Sequence, residues 1–168
     1  TEAMDSTTDN AQTGTIAIGH SALSSLSSGD ENTAIGFQSM KNATTAEYNV
    51  SLGYNTLGGA ASTAHTGNSN TAIGAYALAD INDNGAQNTA IGNQALEEVT
   101  NGKYNTALGS YAGDNVTTGE GNTYLGYYAL PSAADVDDEI VLKAGVDSFT
   151  GAGTETIRIG VDSDYITN

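Results

Sequence analysis

The 168-residue sequence predicts an all-β fold, a parallel β-solenoid or β-roll of about nine short coils. Three observations predict it: a pentapeptide that recurs along the chain, an unbroken aliphatic column once the copies are aligned, and a composition too poor in bulky apolar residues for an ordinary core.

The pentapeptide NTAIG occurs at residues 32–36, 70–74 and 88–92, with close variants NVSLG at 49–53, NTALG at 105–109 and NTYLG at 122–126. Its closing glycines are Gly19, Gly36, Gly53, Gly74, Gly92, Gly109 and Gly126, at intervals of 17, 17, 21, 18, 17 and 17 residues. Two further steps of 17 reach Lys143 and Gly160, which end EIVLK and TIRIG and keep the apolar pattern. A single coil of this length cannot shield its own Leu or Ile, but stacked coils bury it against neighbours. At about 4.8 Å per coil, nine coils give a rod of order 40 Å.

Each coil opens on a strand. The residue before the closing Gly is always Ile or Leu (Ile18, Ile35, Leu52, Ile73, Ile91, Leu108, Leu125, Leu142, Ile159), and two positions earlier stands Ile, Val or Thr. Residues two apart on a strand share a face, so both columns are expected to point inward, with the aliphatic one buried. The column between them is mostly small (Ala17, Ala34, Ser51, Ala72, Ala90, Ala107) and is expected to face outward, where close backbone approach makes it a plausible contact between chains. After the Gly, which permits a tight bend, a second short apolar strand is expected, ending in Leu23, Met40, Leu57, Leu78, Leu96 and Leu130, with Gly113 as a gap. The rest of each coil, rich in Ser, Asn, Gly and Asp, reads as loop. Asn32, Asn49, Asn70, Asn88, Asn105 and Asn122 form another column, expected to be a structural ladder or turn former. Helical periodicity is absent, and disorder does not hold an aliphatic column in register.

Composition restricts function. Twenty acidic residues against four basic ones give a net charge of −16, which argues against nucleic acid and anionic membranes as partners. There is no run of about 18 apolar residues and so no expected membrane insertion. Without cysteine, thiolate metal sites and disulfides are excluded. Two isolated histidines and unselected carboxylates offer no recognisable catalytic arrangement, so no enzyme is expected.

Residues 15–130 carry the NTAIG pentapeptide followed by xxAL, and in this they resemble the head repeats of trimeric autotransporter adhesins and related repeats of bacteriophage tail fibres. The resemblance implies a left-handed parallel β-roll in an intertwined or side-by-side homotrimer, and an extracellular place on a virion tail fibre or a bacterial surface. The long coils fit the fibre variant better. ETIRIG at 155–160, followed by VDSDYITN, resembles the segment preceding the self-cleaving intramolecular chaperone of endosialidases and tail fibres, so chain release at or near Asn168 is expected. Three regions follow: a flexible lead-in at 1–14, regular repeats at 15–130, and degenerate coils with a C-terminal segment at 131–168.

Candidate site residues are few. Asp80, Asn82 and Asn84 in DINDNG match the start of a calcium loop, but Ile91 stands where its twelfth-position Glu belongs, and an ordinary turn competes. Tyr54, Tyr76, Tyr111 and Tyr127 gather near the bends, where exposed rings stack on sugars or pack between subunits. His65 lies in the longest insertion, 58–70, and joins them as a receptor-contact candidate. The expected function is structural and adhesive: a trimeric fibre segment that displays loops to a host-surface glycan or protein receptor. An ice-binding solenoid is the alternative from a different class, disfavoured if the Thr column faces inward.

Overall fold

A three-residue strand cannot pair its backbone within its own coil, so it pairs with the equivalent strand of the next. The computed structural model describes residues 3, 13–59, 65–82, 84–144, 149–150, 157–161 and 164–166. Its strands are β1 (Ile16–Ile18), β2 (Thr33–Ile35), β3 (Val50–Leu52), β4 (Thr71–Ile73), β5 (Thr89–Ile91), β6 (Thr106–Leu108), β7 (Thr123–Leu125), β8 (Ala129–Leu130), β9 (Ile140–Ala144), β10 (Phe149–Thr150), β11 (Ile157–Val161) and β12 (Asp164–Ile166). One sheet runs β1 to β7 in chain order, then β9, β11 and β12, and every pairing in it is parallel except β11 with β12. β8 and β10 form a separate parallel pair. The architecture is a β-solenoid of seven regular rungs extended by β9 and β11.

Register follows the glycine spacing. Ile35 pairs with Leu52, Leu52 with Ile73 and Ile73 with Ile91, across both the 17-residue and the lengthened coils, and Gly160 pairs with Lys143. Extra residues are therefore absorbed in the loops. Among the described residues no helix is long and apolar enough to cross a membrane. The cleavage expected near Asn168 lies outside the described residues.

The side assignment of the strand is the reverse of the expectation. The small column is the buried one: Ala34, Ala72, Ala90 and Ala107 have no exposed surface. The aliphatic column stacks as expected but points outward, with Ile18 58%, Leu52 44%, Leu108 47% and Leu125 43% exposed. The reason is the width of the interior. Leu23, Met40, Leu57, Leu78 and Leu96, fully buried, project from the opposite wall and leave only an alanine's depth beneath the strand. The Ala column is thus core and not a contact surface between chains.

Where the small column changes, the core changes with it. Ser51 replaces Ala, and its hydroxyl lies 2.7 Å from that of Ser39 and donates to the Thr56 carbonyl at 2.9 Å, so no polar atom is stranded there. Tyr124 replaces Ala one coil beyond Gly113. A Cβ added at Gly113 would lie 2.7 Å from Tyr124 Cδ2 and 2.6 Å from Leu96 Cδ2. The missing leucine makes room for the tyrosine ring.

The expected second strand is a turn in most coils. Its residues alternate into left-handed backbone, with φ of 57° and 52° at Ser21 and Leu23, 57° and 51° at Gln38 and Met40, and 56° and 51° at Gln94 and Leu96. Such conformations cost non-glycine residues of order 1 kcal/mol each. Bonds from coil to coil offset that: Leu23 N–H donates to Ser39 O, Met40 N–H to Thr56 O and Leu96 N–H to Ala112 O, each at 3.0 Å. Among the described residues β8 and its partner β10 reach strand geometry in this part of the coil. The Asn column is the ladder the sequence suggests. Asn32 Oδ1 accepts from both the backbone N–H and Nδ2 of Asn49, Asn88 Oδ1 does the same from Asn105, and Asn105 Oδ1 from Asn122. Each Nδ2 also donates to a carbonyl, as Asn105 does to Gly119 O at 2.8 Å.

Candidate functional site

Two surfaces carry chemistry. The first is the outer side of the sheet, where the Thr column and the aliphatic column lie side by side along the rod. Ile16, Val50, Leu52 and Leu108 are 40 to 48% exposed, and Ile35, Ile73 and Ile91 are half-buried. None of the seven rungs β1 to β7 contains a charged residue, although the chain carries 20 acidic ones. A flat apolar stripe of this regularity is unusual on a chain that stays alone in water. The sequence contains the signal that locates it, an aliphatic residue in every rung with no charge beside it. Assuming that aliphatic means buried hides it.

The second surface lies just past the glycine bend. His20, Phe37, Tyr54 and Tyr76 form a continuous aromatic stack with ring centroids 5.3 Å apart at each step, nearly parallel from His20 to Tyr54 and tilted by 62° between Tyr54 and Tyr76. Tyr111 stacks on Tyr128 at 4.6 Å, and Tyr127 meets both edge-on. The Lys143 ammonium lies 5.5 Å from the Tyr127 centroid and donates to the Tyr127 carbonyl at 2.7 Å. Close by, Asp114 is pushed up to about 6 by partial burial and by the carboxylates of Glu97 and Glu98. Four tyrosines singled out from the sequence, Tyr54, Tyr76, Tyr111 and Tyr127, thus fall on one side of the coil, in two groups.

His65 is not with them. It is fully buried, bridges to Ala43, and accepts from the Gly67 N–H at Nδ1, while Nε2 has no hydrogen bond in the enclosed space. Burial pushes its pKa down to about 4, with the Asn82 backbone pulling weakly the other way. It is a core residue at the base of the long loop and is not on the surface with the tyrosines. Residues 60–64 of that loop lie outside the described set.

The DINDNG stretch runs along the next coil. Asp80 N–H donates to Glu97 O at 3.0 Å, Asn82 N–H to Thr100 O at 2.9 Å, and Gly85 N–H to Asn82 O, closing a turn. Asp80 and Asn84 are exposed and Asn82 is half-buried. Among the described residues no group of three or more His, Asp or Glu side chains is placed to hold a metal. Asp80, Asn82 and Asn84 thus lie along a turn in a lengthened coil.

Comparison with known proteins adds no identity: no family model, no curated protein and no solved structure matches the chain.

Proposed function

We propose that the chain is a structural and receptor-binding segment of a trimeric extracellular fibre, of the phage tail-fibre kind, that attaches to glycan on a host cell surface. The observation that carries this reading is the uncharged, half-exposed aliphatic ladder along the sheet. Burying it against further copies removes apolar surface from water at about 25 cal/mol per Å², and identical rungs let identical rods meet in register. Cyclic packing of three closes the contact and leaves no open edge. The number three rests on the resemblance to adhesin heads and tail fibres, and a bacterial surface adhesin head is the near variant. Three copies of each loop and aromatic column then give avidity to weak single contacts.

The outward Thr column favours a second reading, an ice-binding rod, because the same face presents Thr33, Thr71, Thr89, Thr106 and Thr123, each with Ile or Leu beside it. The two readings compete for one surface, which makes them separable. Light scattering of the purified chain is expected to give a trimer without thermal hysteresis. A monomer that depresses the freezing point sinks the fibre reading, and deletion of 58–70 without loss of host adsorption places the display site elsewhere.

A further inference from the structure

The aromatic column is interrupted. Ring contacts run from His20 to Tyr76 and again from Tyr111 to Tyr128, and among the described residues none joins Tyr76 to Tyr111. The coil between them carries Asn93 and Gln94 instead. Backbone bonds fix the spacing: Gln94 N–H donates to Ala75 O and Tyr111 N–H to Asn93 O, both at 2.9 Å. The Tyr76 and Tyr111 backbones are therefore two rungs, about 10 Å, apart. Rings in this column sit 4.6 to 5.3 Å apart where they stack. Two such steps span the break, and its middle rung holds the slender Gln94 side chain, hydrogen-bonded to Glu97, where the neighbouring rungs hold a ring.

We infer that this break seats one pyranose ring of an uncharged or amino glycan, held between Tyr76 and Tyr111 over the Asn93 and Gln94 amides. The inference rests on the glycan-attachment reading and names the place and the sugar class. The C–H faces of a sugar stack on aromatic faces. Among the described residues no ring contact covers Tyr76 or Tyr111 on the side of the break. The polar groups at the break suit a sugar's hydroxyl edge. Asn93 is exposed and donates Nδ2 to Ala75 O at 3.1 Å, and Gln94 Nε2 is hydrogen-bonded to the Glu97 carboxylate. Amides and carboxylates together donate to and accept from hydroxyls. The charge of this neighbourhood selects further. Glu97 lies at the break, bonded to Gln94, with Asp114 and Glu98 close to it, on a chain of net charge −16, a field that repels sialylated or sulfated sugars.

The test applies the full chain to an immobilised panel of glucose, galactose, N-acetylglucosamine and glucosamine oligomers, together with sialylated and sulfated counterparts. Y76A, Y111A, Q94Y and Y48A are compared with the parent. Position 94 has φ of 56°, close to the 60° and 59° of Tyr76 and Tyr111 in the same column, so Q94Y keeps the fold and fills the break with a ring. The expected result is binding of an uncharged or amino oligomer in preference to acidic ones. Y76A and Y111A each weaken it about 3- to 10-fold, Q94Y abolishes it with thermal stability retained, and Y48A leaves it unchanged. Binding that survives Q94Y and Y76A overturns the break as the site and leaves glycan attachment standing. Preference for acidic sugars overturns the assigned class, and no binding by the parent to any member of the panel overturns both.

Discussion

At the scale of single residues, the interior obeys a volume rule that crosses coils. Tyr124 stands in an alanine column and Gly113 in a leucine column, and each substitution is tolerable because of the other. Tyr124→Ala is expected to leave a cavity and cost about 3–5 kcal/mol, and Gly113→Leu to overpack and cost about 1–3 kcal/mol. The double variant restores the arrangement of the neighbouring coils, so its loss should fall well below the sum. Denaturant unfolding of the four proteins measures this coupling. Two titrating residues oppose one another. His65 has a folded-state pKa of about 4 against an ordinary 6.5, so the folded chain binds fewer protons than the unfolded one between those values. Stability is whole above pH 6.5 and falls as pH drops toward 4, by a total of about 3 kcal/mol. Asp114, raised to about 6 from 3.8, does the reverse: its ionised form costs stability above pH 6, and that cost disappears as pH falls toward 3.8. Asp114→Asn is therefore expected to raise the melting temperature at pH 7.5 and leave it unchanged at pH 3.5, whereas His65→Asn removes part of the acid sensitivity between pH 6.5 and 4.

At the scale of the element, the unit of stability is one rung and the bend that follows it. Gly92 has φ of 142°, and a Cβ there would strike the Gly109 carbonyl oxygen of the next coil. Gly92→Ala meets both backbone strain and a clash with main chain that cannot swing away. A loss of at least 2–3 kcal/mol is expected by calorimetry, against at most a few tenths for Ser110→Ala on the outer surface. This glycine, the strand and its register were legible in the sequence because they recur with a fixed period, and periodicity survives without knowing any contact. Which side of the strand faces in was not legible, since it depends on Leu23, Met40, Leu78 and Leu96 crossing from the other wall. Those side chains come from residues in left-handed backbone, a conformation that leucine and methionine do not advertise. The aromatic site was half legible for a similar reason. The tyrosines were visible, but their two groups emerge only when Asn93 and Gln94 are seen to occupy the coil between Tyr76 and Tyr111, and His65 looked like a loop residue until its burial was known.

At the scale of the whole molecule, the rod is one-dimensional: each coil touches the coils before and after it, and the sheet, the Asn ladder and the aromatic column all advance by the same step. Stability in such an array is close to a sum of coil terms and nearest-neighbour interfaces. A whole coil is then removable where part of one is not. Excising residues 88–104, one repeat of 17, joins Gln87 to Asn105 and returns Asn to the Asn column, Thr and Leu to the outer face and Ala107 to the core. The shortened chain is expected to fold, with β-sheet circular dichroism per residue unchanged and a calorimetric enthalpy reduced in proportion to the lost coil. Excising only 88–95 shifts every column after Gln87 out of register and should abolish cooperative unfolding. The same 17-residue excision removes Asn93 and Gln94 and brings Tyr111 one rung from Tyr76, so the two aromatic groups become one stack. A folded, shortened rod that still binds the sugar accepted by the parent would show that the interruption between those rings is not where it binds, and a shortened rod that fails to fold would refute coil-by-coil additivity itself.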